Sequence, residues 1–276
     1  MRRSMLLFVL FATTSLFAQQ FRNATVTSID ASRGVGAAIA GTRASDAWFA
    51  WTVPTSSGSI CCNWKGGGCC GGCALETEHG FTIRGDKDDD QDGPHVTRQM
   101  LIAVRVERGA VRRVRMFDAS CEINGSGKAV NVLTNVSVNA SIDYFLSQIR
   151  NADREGEMIA TLSMHSDPRV VPELIALARR DPDQQVRRHA IFWLGQKAGD
   201  KASAELRRAV DEDPEESVKE HAVFAISQLP RDRAVPMLID LATKNKNPRV
   251  RERAIFWLGQ SGDPRALDLI EKILLK

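Results

Sequence analysis

The sequence predicts an α+β protein, with a small cysteine-rich β domain followed by an all-α solenoid of about four helical pairs. Three observations carry this. All six cysteines and most of the glycine lie within residues 23–140. Short runs of alternating apolar residues occupy the same stretch. From Ser141 onward the apolar positions recur at a step of 32 residues. The 276 residues therefore divide into a leader at 1–18, a Cys-rich β-rich domain at 19–140 and a solenoid at 141–276. Hydrophobic residues at 43% and charged residues at 26% are ordinary globular values and argue against a disordered or fibrous chain. Lysine plus arginine number 37 against 34 acids, and Arg2 and Arg3 fall in the leader. What remains is nearly balanced in each half, without the basic surplus that phosphate neutralisation requires, so nucleic acid is not an expected partner.

The leader reads as an export signal. Arg2 and Arg3 make a positive n-region, Met5-Leu-Leu-Phe-Val-Leu-Phe11 an apolar core, and Leu16-Phe17-Ala18 a small-residue cleavage site. An uncleaved anchor needs about 20 predominantly apolar residues, and this run is broken by Ser4, Thr13, Thr14 and Ser15. Cleavage after Ala18 leaves Gln19 as the new terminus with no cysteine to carry a lipid. No later stretch is long and apolar enough to span a bilayer. The mature protein is expected to be exported, periplasmic or secreted, with no membrane span once the leader is removed.

In the second segment, Ala47-Trp-Phe-Ala-Trp-Thr-Val53 is aromatic and β-rich and is closed by Pro54. Phe81-Thr-Ile83 is a shorter candidate strand. Leu101–Val106 and Val111–Phe117 flank Glu107-Arg-Gly-Ala110, a hairpin signal in which Gly109 can take positive φ. Arg105, Arg112, Arg113 and Arg115 are read as the solvated face of a half-buried sheet, with an anion site as the alternative.

The helical half repeats in two registers. Leu162, Leu194, Ile226 and Leu258 keep the 32-residue step, as do Ile142, Leu174, Leu206, Leu238 and Ile270. Val186, Val218 and Val250 follow it, as do Ala190, Ala222 and Ala254. Each unit reads as two helices, with Asp181-Pro182 and Asp213-Pro214 at the joints. Val186-Arg-Arg-His-Ala, Val250-Arg-Glu-Arg-Ala, Leu258-Gly-Gln and Gly262-Asp-Pro-Arg-Ala266 resemble the HEAT-like repeats of the phycobilisome-lyase type. The resemblance implies three good repeats and a poorer, capping first one, hence a HEAT-like solenoid, and it says little about function. Some HEAT-like proteins are di-iron hydroxylases with His-Glu pairs at the starts of their repeats. The matching pairs here are Arg188-His189, Glu220-His221 and Glu252-Arg253. None reads His-Glu, so that activity is not expected. Bilin lyases share the repeat but act on cytoplasmic antenna proteins, which does not suit an exported chain.

The densest chemistry is Cys61-Cys62-Asn-Trp-Lys-Gly-Gly-Gly-Cys69-Cys70-Gly-Gly-Cys73, with Cys121 far behind it. Export favours disulfides. Zinc on Cys62, Cys70, Cys73 and Cys121, or a redox pair Cys70-Cys73, are the alternatives. Five cysteines in the cluster are an odd number, so complete pairing sends one of them to Cys121. Asp88, Asp90 and Asp92 match the first half of a calcium loop, but Gln99 stands where the bidentate glutamate belongs, so a solvated acidic run is the preferred reading. No cofactor is expected beyond these zinc and calcium alternatives. Asn23, Asn124, Asn135 and Asn139 begin glycosylation sequons.

Phe192, Phe224 and Phe256 repeat at the same 32-residue step. With Val186 at 0°, Ala190, Trp193 and Leu194 define an inward stripe, while Phe192 falls at roughly 240° beside Arg188 at about 200°. This row is either buried by stacking or forms a docking strip for a protein. The last helix is apolar around much of its circumference, with Leu269 and Ile273 on one side and Leu267 and Leu274 on the other. That pattern makes self-association through the C-terminal helix a second candidate contact. The function expected is a non-enzymatic exported module that holds a protein partner on its solenoid. The alternative is a periplasmic redox or metal-handling protein that uses the Cys61–Cys73 cluster.

Overall fold

The protein was analysed as a computed structural model that describes residues 20–42, 45–55, 60–61, 72–76, 82–83, 98–150, 154–197 and 199–274. The leader, Cys62, Cys69, Cys70 and the run holding Asp88, Asp90 and Asp92 lie outside the described residues, as do the side chains of Cys61, Ile273 and Leu274.

Strands β1 (Phe21–Asp30), β2 (Asp46–Thr55), β5 (Arg98–Glu107), β6 (Ala110–Asp118) and β7 (Ile123–Thr134) form one sheet in the order β1-β7-β2-β5-β6. Strands β3 (Ile60–Cys61) and β4 (Thr82–Ile83) make a separate two-stranded ladder, and α1 (Val35–Ala40) follows β1. The period of two in β2 and β5 sorts their side chains onto two faces. Phe49, Trp51, Val53, Met100, Ile102 and Val104 join the core shared with the helices, while Trp48, Ala50, Leu101 and Ala103 meet Leu75, Cys73, Cys121 and Ile123 on the other face. Both faces are buried, which is why these strands read as almost unbroken apolar runs. Cys73 and Cys121 are both buried there, in the same cluster.

The hairpin closes on Arg108 and Gly109, both at positive φ (51° and 80°), the backbone of a type I′ turn. Pro54 lies within β2 rather than closing it, paired with Gln99 of β5. It is tolerated because β7 pairs with β2 only at Trp48–Ala50, leaving no ladder bond for its missing N–H to break. Of Arg105, Arg112, Arg113 and Arg115 only Arg112 is exposed, and the other three are partly buried. Arg105 binds Asp46, Glu107 and Glu76, Arg113 also binds Glu76, and Arg112 binds Glu107. Arg105 sits directly across from Arg113, and Glu76 between them offsets the like-charge repulsion. Arg115 is half-buried beside Glu157, and burial lowers its pKa.

Helix α2 (Val138–Gln148) leads into four pairs: α3 (Glu155–Met164) with α4 (Val170–Arg180), α5 (Gln184–Lys197) with α6 (Asp200–Glu212), α7 (Glu216–Ser227) with α8 (Arg231–Lys244), and α9 (Pro248–Ser261) with α10 (Pro264–Leu274). Helices α3, α5, α7 and α9 pack in sequence, and the residues of the 32-step registers form their buried seam. Among these residues only Ile270, in the last helix, is left partly exposed. The aspartates at the joints work as turn acceptors: Asp181 receives the Asp183 N–H at 3.0 Å and Asp213 the Glu215 N–H at 3.0 Å. Arg187 ties two joints together. Its Nη1 donates to the Asp181 and Pro182 carbonyls, while Nε and Nη2 grip the Asp213 carboxylate at 2.9 and 3.1 Å.

Sheet and solenoid meet at the far end of β2. The Trp51 indole N–H donates to Ser141 Oγ at 2.9 Å, and Ser141 lies 2.8 Å from His165 Nε2. His165 Nδ1 is 2.9 Å from the Thr161 carbonyl, so Nδ1 carries the hydrogen and Nε2 accepts from Ser141. Alongside, the Thr55 hydroxyl donates to the Met164 carbonyl and the Ser166 N–H to the Pro54 carbonyl. Removing the shared hydroxyl by Ser141→Ala leaves the Trp51 N–H and His165 Nε2 buried and unpaired, and urea unfolding should show a loss of about 1–3 kcal/mol per stranded group.

Burial pushes the pKa of His165 from 6.5 down to about 4. The folded state thus holds the proton more weakly than the unfolded chain does. The stability this allows is complete above about pH 6.5 and is lost as pH falls toward 4. Urea midpoints measured across that window should decline with acid, and His165→Gln should flatten the decline.

Candidate functional site

The outer side of α5, α7 and α9 carries three parallel rows at the repeat step. They are Arg188, Glu220 and Glu252; Phe192, Phe224 and Phe256; and Gln196, Gln228 and Gln260. The inward stripe of each helix uses the valine, alanine and leucine positions, and the rows fall on the remaining arc. Gly195 sets how closely α5 and α7 approach. A Cβ at that position would lie 2.9 Å from the Ala225 carbonyl oxygen, so the two helices are in near contact.

The phenylalanine row is neither fully buried nor free. Phe192 and Phe224 are half-buried and stack at 6.2 Å with planes 14° apart, while Phe256 is 49% exposed. The ring contacts continue along the face: Phe192 meets Trp193 edge-on at 5.1 Å, Phe224 meets Trp257 at 5.1 Å, and Phe256 meets Trp257 at 5.0 Å. Trp193 and Trp257 in turn rest partly on the core.

Two histidines and an arginine border these rings. His221 lies between Phe192 and Phe224, at 6.3 and 5.5 Å. His189 covers Gly156 of α3, where a Cβ would stand 2.9 Å from the imidazole. Burial lowers both pKa values, that of His221 to about 4 with Arg188 and His189 pushing the same way. Both rings are therefore neutral at physiological pH. Arg188 donates from Nη1 to Gln185 at 3.2 Å, and its Nε is buried without an acceptor. This surface can hold apolar and anionic groups. Among the described residues no group of three or more His, Cys, Asp or Glu side chains is arranged for a metal ion.

The other expected residues are scattered. In α10, Leu269 packs partly on the core, and the exposed apolar side chain is Leu267 at 58%. Of the two sides that the sequence pattern left in need of cover, the one with Leu269 thus rests partly on the core, and the one with Leu267 is open. Cys73 and Cys121 belong to the far face of the sheet, away from the helical rows. Sequence reasoning passed over Gln196, Gln228 and Gln260, although the same 32-residue step marks them. It also passed over Gly156, whose role depends on a neighbouring helix. A second feature, a cleft of about 260 Å³ at the sheet–solenoid joint, is lined by His165, Asp167, Val170, Val171 and Lys197. Burial lowers the Lys197 amine there to about 8.

The half-burial of the rings sets their energetic weight. Phe224→Ala should destabilise by less than the ~3–5 kcal/mol of a fully buried phenylalanine, about 1–3 kcal/mol, and Phe256→Ala by under about 1 kcal/mol. Paired chemical denaturation curves check the ordering.

Models of known families match this chain as HEAT repeats at residues 142–219, 171–243 and 203–276. No curated protein matches it significantly. Among solved structures, the complex of CpcE and CpcF of phycocyanin lyase from Nostoc sp. PCC7120 is similar over 50% of this chain and 91% of that one, at 16% identity and a TM-score of 0.39. The matched segments and the four stacked pairs coincide, and the C-terminal half of this protein is a HEAT-repeat domain.

Proposed function

We propose that the protein is exported by its 1–18 leader and acts outside the cytoplasm as a non-enzymatic scaffold. It holds a protein partner on the outer face of α5, α7 and α9. One observation carries the reading: a continuous row of rings with Phe256 49% exposed, held on a stacked helical frame. Exposed aromatics on a rigid support are the usual anchors of protein interfaces. HEAT repeats offer a helical-repeat scaffold of this kind, and among the described residues no helix is long and apolar enough to cross a membrane. Cys73 and Cys121, buried in one cluster, are placed for a disulfide, which would suit an oxidising compartment. The two neutral histidines have no carboxylate bonded to them, which favours holding over catalysis.

The test pairs the wild-type chain with Phe256→Lys in affinity capture from the native envelope. A partner retained by the wild type and lost from a variant of unchanged melting temperature is the expected outcome, along with a mature terminus at Gln19. Equal retention by both proteins would move the partner surface elsewhere. A reactive Cys70-Cys73 dithiol or stoichiometric zinc on the purified protein would replace the scaffold with the redox or metal-handling alternative.

A further inference from the structure

The partner's chemistry can be read from what the three rows leave unmet, and this inference rests on the scaffold reading above. We propose that the face of α5, α7 and α9 receives an extended peptide segment whose alternate residues are apolar and which sets a carboxylate over Arg188.

The carboxylate follows from charge complementarity. Arg188 has one hydrogen bond, to the neutral Gln185, and a buried Nε with no acceptor. The acid at the matching position of α7 is already taken, since Glu220 binds Arg253 at 2.8 Å and also contacts Arg249. His189 and His221 lie beside it with lowered pKa values, and the acids that act on His189, Glu155 and Asp183, make no ion pair with Arg188. A guanidinium is stabilised most by a carboxylate that meets its fork, and among the described residues no acid forms an ion pair with Arg188.

The extended conformation follows from the amide and ring rows. Gln196, Gln228 and Gln260 are all exposed, and each offers a donor and an acceptor one helical turn beyond a phenylalanine. A helical ligand has already used its backbone N–H and C=O groups, whereas an extended one still needs partners for them. The ring spacing agrees. Phe192 and Phe224 are 6.2 Å apart, close to the ~6.6 Å between alternate residues of a strand. Apolar side chains of such a segment would rest on Phe192 and Phe224, with Phe256 reached across Trp257, while its backbone runs beside the glutamines.

A peptide-display selection on the full chain tests this, with random twelve-residue inserts as the probe. The enriched sequences should alternate apolar residues and carry Asp or Glu near one end. Affinity of the best peptide should fall by about tenfold for Arg188→Gln, the scale of a lost charge-assisted hydrogen bond, and by a few-fold for Gln228→Leu. Arg188→Lys should recover part of the loss, and Arg180→Gln on α4 should change nothing. Melting curves on each variant separate lost binding from lost folding. Enrichment of helical patterns with apolar residues at i, i+3 and i+4 that still need Phe256 would overturn the extended, acidic segment and leave the scaffold standing. Indifference to Arg188→Gln would overturn the carboxylate. If no peptide distinguishes wild type from Phe256→Lys, both this inference and the scaffold reading fall.

Discussion

The helices and one face of the sheet depend on one unbroken apolar core. A single cluster runs from Ala31 beside the sheet to Ala266 in α10, through the seam of every helical pair between them. A helical pair cannot bury both of its apolar sides alone, so each needs a neighbour. The first pair finds its neighbour in α2 and the sheet, which place Trp51, Phe145 and Met158 in one packed group. The sheet thus serves as the solenoid's first cap. The polar contacts at that joint, Trp51 to Ser141 to His165, fix the orientation of surfaces that apolar packing alone would let slide.

Polar groups inside the array follow the same logic. Asp181, Asp213 and Asp263 are buried at joints, and each accepts the backbone N–H two residues on. Burial of an unpaired carboxylate would cost several kcal/mol, but these are hydrogen-bonded and, except where the partner is exposed, enclosed with their arginine. Exposed ion pairs such as Arg233 with Asp200 contribute far less and mainly keep the outer surfaces soluble. The phenylalanine row stands between these two cases. Its rings are apolar and partly covered, and they reach the core only through Trp193 and Trp257.

The helical half was legible because repetition multiplies a weak signal. One leucine means little, but Leu162, Leu194, Ile226 and Leu258 at equal steps fix a seam. The hairpin was legible from Arg108-Gly109, and β2 from its aromatic run. Strands β1 and β7 were not. β1 is an edge strand, mostly exposed and polar, and β7 carries Gly125, Ser126 and Gly127, the last two at positive φ. Their parallel pairing joins residues about a hundred positions apart, and no local pattern records that. At the site, the ring row came directly from the period, whereas its half-burial did not, since it depends on Gly195 letting α5 and α7 close. The salt network on Glu76 was hidden for the same reason, since sequence spacing cannot bring one acid between two arginines of neighbouring strands.

The Arg187 clamp has a consequence for how such an array can grow. Arg187 and Asp213 stand at the two ends of one unit, so a 32-residue segment copied from residues 183–214 carries that ion pair, while the carbonyls that Arg187 also holds, at Asp181 and Pro182, must come from the unit before it. The next unit has neither end: Lys219 stands at the arginine position and Asn245 at the aspartate position, and Asn245 instead donates to Asp211. In the unit after it, Arg251 again grips the carbonyls of its own loop, at Asn245 and Lys246. The 183–214 module is the natural piece to lift into a designed repeat protein.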